Sequence, residues 1–257
     1  MRICCVTWVA FLCFPGSFAR ADLPQVEQCV VLLAAENTDG TFNVSTGFFV
    51  SSDGFVATAD HNAVNPDDGK PRKLWARAAI HGGGYSAYPL KLLKRFGSGL
   101  DSGRDIAILR VEGKHAQPFH FLQVGKEPVL GAEVFMVGFP ILASEPLESP
   151  FARRGIVSST KYEHFGVPSF ILDVPMVHGH SGSPIVDKES GEVMGVACGW
   201  FTEHATADFT FANRITREDI HSARQNEDAE GKPKATAALA DRPGKALSGF
   251  FGLNQSE

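Results

Sequence analysis

Three polar residues of this chain lie at the ends of apolar segments, and their types are those that nucleophilic acyl transfer requires. His61 closes the segment FVATADH, Asp105 opens the segment DIAIL, and Ser181 lies in the glycine-rich turn GHSGSP. A serine hydroxyl is a weak nucleophile until a base takes its proton, and neutral imidazole does this near neutral pH. A carboxylate on the second imidazole nitrogen then holds the base in the correct tautomer. The trio, in the chain order His, Asp, Ser, therefore indicates acyl-transfer chemistry.

The turn around Ser181 has a second feature that this chemistry needs. A tight turn with little side chain can direct the amides of Gly179 and Ser181 at one point. Two convergent N–H groups form an oxyanion hole, which stabilises the negative charge of the transition state. Each motif is common on its own in unrelated proteins, so the prediction depends on all of them occurring together.

The composition excludes several other classes of protein. Hydrophobic residues make up 44% of the 257 residues, which is too much for a disordered chain. The formal net charge is -5, so the basic surplus that supports non-specific nucleic-acid binding is missing. No internal apolar run reaches the roughly 18 residues of a membrane span. We therefore expect a globular protein with neither a nucleic-acid partner nor a membrane-embedded domain.

The first 21 residues have the pattern of a secretory signal peptide. A basic residue at Arg2 precedes an apolar run over 3–14, and Ala19-Arg20-Ala21 has the small-x-small pattern of a cleavage site. We expect cleavage near Ala21 and a secreted or periplasmic protein; an uncleaved anchor is the alternative. Cleavage leaves two cysteines, Cys29 and Cys198, for which we expect buried free thiols rather than a disulfide.

Twelve short segments rich in Val, Ile and Phe are separated by clusters of Gly, Asp and Pro, which is typical of strands joined by turns. The predicted strands are 29–35, 42–50, 55–59, 73–80, 88–95, 106–111, 133–137, 154–162, 170–174, 184–186, 193–201 and 207–212. This pattern predicts an all-β fold, a sandwich or barrels, and the polar stretch 112–130 divides the strands into two sets.

The character of the chain changes after the last predicted strand. We predict a short helix over 215–225, where Thr216 and Asp219 have the spacing of a capping box. The folded domain is expected to span 22–220, and the charged, Ala-rich segment 221–257 is expected to be a flexible tail.

Five segments, in order along the chain, resemble trypsin-like serine proteases, and the HtrA/Deg type most closely. STGFFVSSDGFVATADH over 45–61 resembles the strand–turn–strand unit that carries the catalytic His, and DIAIL from Asp105 resembles the segment of the catalytic Asp. VFMVGFP over 134–140 and GIVS over 155–158 resemble the first two strands of the second barrel. Asp173 stands where the family often has an Asp ahead of its serine motif.

This resemblance covers about residues 26–213 and implies a fold. It implies two six-stranded antiparallel β-barrels, over about 26–115 and about 129–213, followed by a short C-terminal helix. The active site would then lie in the cleft between the two barrels.

The same resemblance implies roles for the residues that match. His61 would be the general base, Asp105 would orient it, Ser181 would be the nucleophile, and the amides of Gly179 and Ser181 would be the oxyanion donors. It implies a serine endopeptidase that hydrolyses polypeptides through an acyl-enzyme, with no cofactor and no metal. We expect no PDZ domain, because too few residues follow the second barrel; the oligomeric state stays open.

Three residues depart from the family pattern, and two of them, His180 and Ser183, together with the expected lack of a PDZ domain, leave a second function open. Asp60 precedes the His where the family usually has a small or amide residue, His180 stands where Asn or Asp is usual, and Ser183 replaces a Gly. The alternative is a weak or inactive pseudoprotease that binds extended or unfolded polypeptide by strand addition.

The resemblance also predicts the walls of the substrate pocket. They would be formed by the segment before Ser181, which includes Val174 and Pro175, and by the strand residues Ala197, Cys198 and Gly199. These walls carry no carboxylate, so a basic substrate side chain would be buried without a partner. We therefore expect cleavage after small or medium apolar residues.

Two histidines beside the nucleophile suggest further hypotheses. If the segment is extended, His178 and His180 point the same way and could ligate a metal, although the sequence signals no third ligand. His180 could instead switch the oxyanion turn near neutral pH, where histidine changes its charge.

Overall fold

The computed structural model describes residues 22–230 except 38, 66–67, 81–82, 98–102, 114, 116, 143–144, 147–148, 165 and 201–208. The predicted signal peptide therefore lies outside the described residues. The chain forms two closed six-stranded antiparallel barrels followed by one helix. This confirms the fold class predicted from the sequence.

The first barrel has the strand order β1-β2-β3-β6-β5-β4. Short helical segments precede β1 and β4, and the second of these, α2, carries His61. The elements are α1 Leu23–Cys29, β1 Val30–Glu36, β2 Phe42–Phe49, β3 Phe55–Thr58, α2 Asp60–Ala63, β4 Leu74–Ala79, β5 Tyr85–Gly97 and β6 Gly103–Val111.

The second barrel has the strand order β10-β11-β14-β13-β12-β7, and a two-stranded hairpin, β8–β9, lies outside it. The glycine-rich turn around Ser181, residues 179–183, leads into β12 and is called the serine turn below. The elements are β7 Glu133–Gly138, β8 Ile141–Leu142, β9 Glu145–Pro146, β10 Phe151–His164, β11 Val167–Leu172, β12 Pro184–Asp187, β13 Val193–Trp200 and β14 Thr210–Arg214.

Each of the twelve barrel strands overlaps a strand predicted from the sequence. The alternation of large apolar side chains is the reason, because it fills the barrels' closely packed interiors. Fully buried residues include Phe48, Phe55 and Ile108 in the first barrel and Met136 and Phe170 in the second. The two barrels also share one apolar cluster, so they pack directly against each other.

The C-terminal helix α3, Arg217–Glu230, is longer than the sequence predicted. The predicted capping box is confirmed: Thr216 N–H donates to Asp219 Oδ2 at 2.8 Å, and Asp219 N–H donates to Thr216 Oγ at 3.3 Å. The helix packs on the first barrel, where Arg110 pairs with Glu227. Residues 221–230 are therefore helical, and Ala223 is buried in the apolar cluster that the barrels share, whereas the sequence analysis placed the start of the tail at 221; residues 231–257 lie outside the described residues.

Candidate active site

His61 and Asp105 are brought together by the first barrel alone. The Asp105 carboxylate accepts the His61 backbone N–H through Oδ1 at 3.0 Å and contacts His61 Nδ1 through Oδ2 at 2.6 Å. Asp105 is 4% exposed, whereas the His61 side chain is 27% exposed. Both carboxylate oxygens of Asp105 thus bond to His61. This fixes the orientation of the imidazole and leaves its Nε2 on the side away from Asp105.

The second barrel binds the backbone of Asp105 through Asn213, a residue that the sequence analysis missed. Asp105 N–H donates to Asn213 Oδ1 at 2.7 Å, and Asn213 Nδ2 donates to Ser169 Oγ at 2.8 Å. Asn213 lies on β14 and is buried. A polar residue directly after the predicted apolar strand 207–212 was the available signal for it.

Ser181 is held against the first barrel by its backbone carbonyl. That carbonyl accepts the backbone N–H of Thr46 at 2.9 Å and Asn62 Nδ2 at 3.0 Å. Asn62 directly follows His61 on α2, so the serine turn is bonded to the helical turn that carries the imidazole. The structure thereby brings the backbone of all three predicted catalytic residues to the same junction between the barrels.

The peptide groups around Ser181 have anchored carbonyls and free amides. The carbonyl of His178 accepts Ile141 N–H at 2.8 Å, and that of His180 accepts Ser183 N–H at 2.9 Å. In a planar trans peptide the N–H points opposite to the C=O. The amides of Gly179 and Ser181 therefore point away from these anchors, and neither donates to an acceptor within the described part of the chain.

The two glycines of the turn are required by their backbone and by close neighbours. Gly179 has φ 92° and Gly182 has φ 88°, a region that side chains other than glycine disfavour. A Cβ on Gly179 would lie 2.2 Å from the Phe139 carbonyl oxygen, and one on Gly182 would lie 2.0 Å from the Thr46 carbonyl oxygen. The tight turn predicted from sequence is thus also a place where the second barrel lies directly against the first, at Thr46.

The Thr46 side chain is a second functional residue that the sequence analysis missed. Its hydroxyl donates to the Gly179 carbonyl at 2.7 Å and accepts the Phe139 N–H at 2.9 Å. Thr46 lies on β2 and is fully buried. The first barrel thus holds the turn at two carbonyls, those of Gly179 and Ser181.

His180 is fully buried and does not share a face with His178, which is exposed. The segment is a turn, in which His180 N–H donates to the Val177 carbonyl at 3.2 Å, so the extended backbone that a shared face of the two imidazoles requires is not present. Val177 N–H donates to His180 Nδ1 at 3.3 Å, which assigns the proton of the neutral ring to Nε2. Nε2 has no hydrogen-bond partner among the described residues.

Burial, and secondarily the positive charge of Arg153, lower the pKa of His180 to about 4. The hypothesis that His180 switches near neutral pH is therefore wrong, because the ring stays neutral there. An unfolded chain protonates this histidine near pH 6.5, whereas the folded chain does so only near pH 4.

This difference predicts a loss of stability in acid. As the pH falls from about 6.5 to about 4, His180 becomes protonated in the unfolded state but not in the folded state. This lowers the free energy of unfolding by about 3 kcal/mol. Urea unfolding of the wild type and of His180→Asn, at about pH 7 and about pH 4, measures it. We expect the wild type to lose about 3 kcal/mol more than the variant; equal losses would contradict the assignment.

The predicted pocket residues divide into buried and accessible groups. Val174 and Ala197 are fully buried in the apolar core of the second barrel. Cys198 is also buried, with its Sγ 3.5 Å from the Asp105 carbonyl oxygen and 3.4 Å from Asn213 Oδ1. Only Pro175, which is exposed, and Gly199, which is partly exposed, present accessible surface.

The cysteines, a metal site and a membrane span were also considered from the sequence. Cys29 and Cys198 are free and buried, as expected, and burial raises the pKa of the Cys29 thiol to about 12. Across the described ranges, no three His, Cys, Asp or Glu residues cluster in a way that could hold a metal ion. None of the helices in those ranges has both the length and the apolar character that crossing a bilayer requires.

A double barrel with a His–Asp pair and a glycine-rich serine turn at the junction defines a class of protein. A family model described as trypsin-like peptidase domain matches residues 45–196, which is more than half of the chain. The chain therefore belongs to the trypsin-like peptidase domain family.

Curated relatives are similar to part of this chain. A protein named probable periplasmic serine endoprotease DegP-like, from Pseudomonas fluorescens, is 29% identical over 163 residues, covering 60% of this chain and 29% of its own length. The protein of the same name from Ectopseudomonas mendocina is 29% identical over 162 residues, covering 62% and 30%. The chain thus spans less than a third of the length of these relatives.

Solved structures share the fold. The MamO protease domain from Magnetospirillum magneticum, in its apo form, matches 78% of this chain and 98% of its own with a TM-score of 0.58 at 20% identity. The HtrA-type protease AlgW with a tripeptide matches 81% of this chain and 63% of its own with a TM-score of 0.59 at 18% identity.

Proposed function

We propose that this protein is a serine endopeptidase that uses His61 as general base, Asp105 as its orienting acid and Ser181 as nucleophile. The observation that carries the proposal is the two-point contact of Asp105 with His61, at 3.0 Å to the backbone N–H and 2.6 Å to Nδ1. A carboxylate on Nδ1 keeps the proton there and leaves Nε2 as a free base. The family membership and the endoprotease names of the relatives support the same activity.

The reaction is an acyl transfer in two halves. His61 Nε2 takes the Ser181 hydroxyl proton as Oγ attacks the carbonyl carbon of the scissile peptide bond. The imidazolium, stabilised by Asp105, then donates that proton to the leaving amine as the C–N bond breaks. In the second half, His61 takes a proton from water as the water oxygen attacks the ester carbon of the acyl-enzyme. The bond from that carbon to Ser181 Oγ then breaks, Oγ receives the proton back from the imidazolium, and the carboxylic acid product leaves.

The free amides of Gly179 and Ser181 are the proposed oxyanion donors. The carbonyls of the same two peptide groups, those of His178 and His180, accept hydrogen bonds from the backbone amides of Ile141 and Ser183. The two N–H groups are therefore already oriented before substrate binds. Preorganised donors of this kind stabilise the tetrahedral oxyanion without a reorganisation cost.

We propose polypeptide as substrate and the periplasm or the exterior as location, from the names of the relatives and the predicted signal peptide. The accessible pocket residues, Pro175 and Gly199, carry no charge, which supports cleavage after small or medium apolar side chains. Profiling with a peptide library tests this; a strict preference for Arg or Lys contradicts it.

The nucleophile is tested with a fluorophosphonate probe, which reacts with activated serines and requires no known substrate. We expect purified protein to be labelled, Ser181→Ala to be unlabelled, and Ser183→Ala to be labelled like the wild type. Ser183 is a matched control because it lies two residues away but is fully buried. Peptide mass mapping then locates the adduct.

The binding alternative predicts a different outcome from the same experiment. A folded protein that is not labelled, even after addition of unfolded protein as activator, contradicts the peptidase proposal. Retention of unfolded polypeptide without cleavage would then support a binding role.

A further inference from the structure

Asp60, the residue directly before the proposed general base, carries a carboxylate that the reaction does not use. It is fully buried, which is costly for a charge without a partner. Its partner is Arg95: Nε donates to Asp60 Oδ1 at 2.8 Å and Nη2 donates to Asp60 Oδ2 at 2.8 Å. This two-bond geometry is the most directional contact that an arginine makes with a carboxylate.

Arg95 joins three parts of the first barrel. It lies on β5 opposite Ala107 of β6, two residues beyond Asp105. Its side chain reaches α2 through Asp60 and also donates from Nη1 to the Gly69 carbonyl at 3.4 Å. The helical turn that carries His61 is therefore fastened to the pair of strands that carries Asp105.

Asp60 and Arg95 also contribute opposite charges next to the helical turn that carries His61. Charged groups bonded to the α2 turn include Asp105 from β6 and Arg95 from β5, and Asp60 belongs to the turn itself; Arg72, in the following loop, donates its backbone amide to the Ala63 carbonyl at the end of the turn. Because Asp60 directly precedes His61 on α2, loss of Arg95 would leave a second uncompensated carboxylate on the turn that carries the imidazole, and loss of Asp60 would leave an uncompensated guanidinium against that turn.

We propose that Asp60 and Arg95 are a positioning pair for His61, which fixes the turn against β5 and cancels the charge of a second carboxylate beside the general base. The proposal rests on the proposed function, because it concerns how the same base is held and poised. Neither residue touches the reacting atoms.

The test compares Asp60→Asn, Arg95→Gln and the double variant. The readout is the titration midpoint of the His61 imidazole, followed by NMR in folded protein, with the midpoint of the pH–rate profile as a second readout. We expect Arg95→Gln to raise the midpoint by about half a pH unit or more and Asp60→Asn to lower it by a similar amount, with the double variant close to wild type.

Opposite shifts separate this role from a merely structural one, since loosening of the turn would move both single variants in the same direction. Arg110→Gln is the matched control. Arg110 also pairs with a carboxylate, at 2.8 Å, but that carboxylate is Glu227 of α3 and not a residue of α2, so we expect this variant to leave the midpoint unchanged. If Arg95→Gln does not fold, Arg95→Lys replaces it: lysine keeps the positive charge, so the midpoint should stay close to wild type while Asp60→Asn still lowers it, and a rise in Asp60→Asn overturns the proposal.

Shifts in the same direction, or none, overturn the proposal. The NMR titration requires no turnover, so it distinguishes failure of this inference from failure of the proposed function. Opposite shifts in a protein that the fluorophosphonate does not label would retain the positioning pair and reject the peptidase.

Discussion

Asp105→Asn is expected to lower kcat/KM for a peptide or ester substrate by about 10⁴-fold with little change in stability. The geometry explains why. The amide oxygen of the substituted side chain can still accept the His61 backbone N–H, as Asp105 Oδ1 does at 3.0 Å. The amide NH₂ then faces His61 Nδ1, where Oδ2 now lies at 2.6 Å. A donor at that position forces the imidazole proton onto Nε2, and the base is lost.

The control for this variant is Asp187→Asn. Asp187 is also buried, but its Oδ1 accepts from Ser190 N–H at 2.7 Å and from Ser190 Oγ at 2.8 Å, so it supports a turn and no base. We expect its kcat/KM to remain close to wild type. A loss for Asp105→Asn no larger than for Asp187→Asn would show that Asp105 does not orient the general base.

Thr46→Val is expected to lower kcat by about 10²-fold while leaving KM nearly unchanged. Valine has the shape of threonine but no hydroxyl, so the Gly179 carbonyl and the Phe139 N–H both lose a buried partner. The Gly179–His180 peptide group is then restrained only by the bond from His180 N–H to the Val177 carbonyl at 3.2 Å, so the turn holds the oxyanion amides less rigidly. Because the oxyanion forms only in the transition state, the loss appears in kcat.

Thr46→Ser is the matched variant, since it keeps the hydroxyl and removes only a methyl group. We expect its kcat to remain within a few-fold of wild type. Urea unfolding should show Thr46→Val destabilised by about 2 kcal/mol, the cost of leaving buried polar groups unpaired. If Thr46→Val and Thr46→Ser have the same kcat, the hydroxyl does not hold the oxyanion turn.

The sequence alone determined the elements that depend on short-range patterns. Apolar periodicity and turn residues predicted all twelve barrel strands, because each strand is defined by side chains a few positions apart. The Thr216–Asp219 capping box was predicted for the same reason. Residue chemistry and chain order also sufficed to propose His61, Asp105 and Ser181, because few residue types can perform acyl transfer.

Local pattern was a poorer guide to burial. The alternation of His178 and His180 suggested one shared face, but their segment is a turn and not the extended backbone that a shared face requires. Val174, Ala197 and Cys198 were expected to line the substrate pocket, yet all three are buried. Val174 and Ala197 lie in the core of the second barrel, and Cys198 lies against Asp105 and Asn213. Which side of a backbone becomes interior is decided by what packs against it.

Only the tertiary structure decided which residues hold the predicted catalytic groups. Asn213 bonds Asp105 across 108 positions of sequence, Thr46 bonds Gly179 across 133, and Arg95 bonds Asp60 across 35. None of these pairs has a local signature, since each bonded group is an ordinary polar side chain or backbone group in its own segment. The first two pairs come from packing of one barrel against the other and the third from packing of α2 against β5. In each of them a buried polar group gains the hydrogen-bond partner without which its burial would be costly.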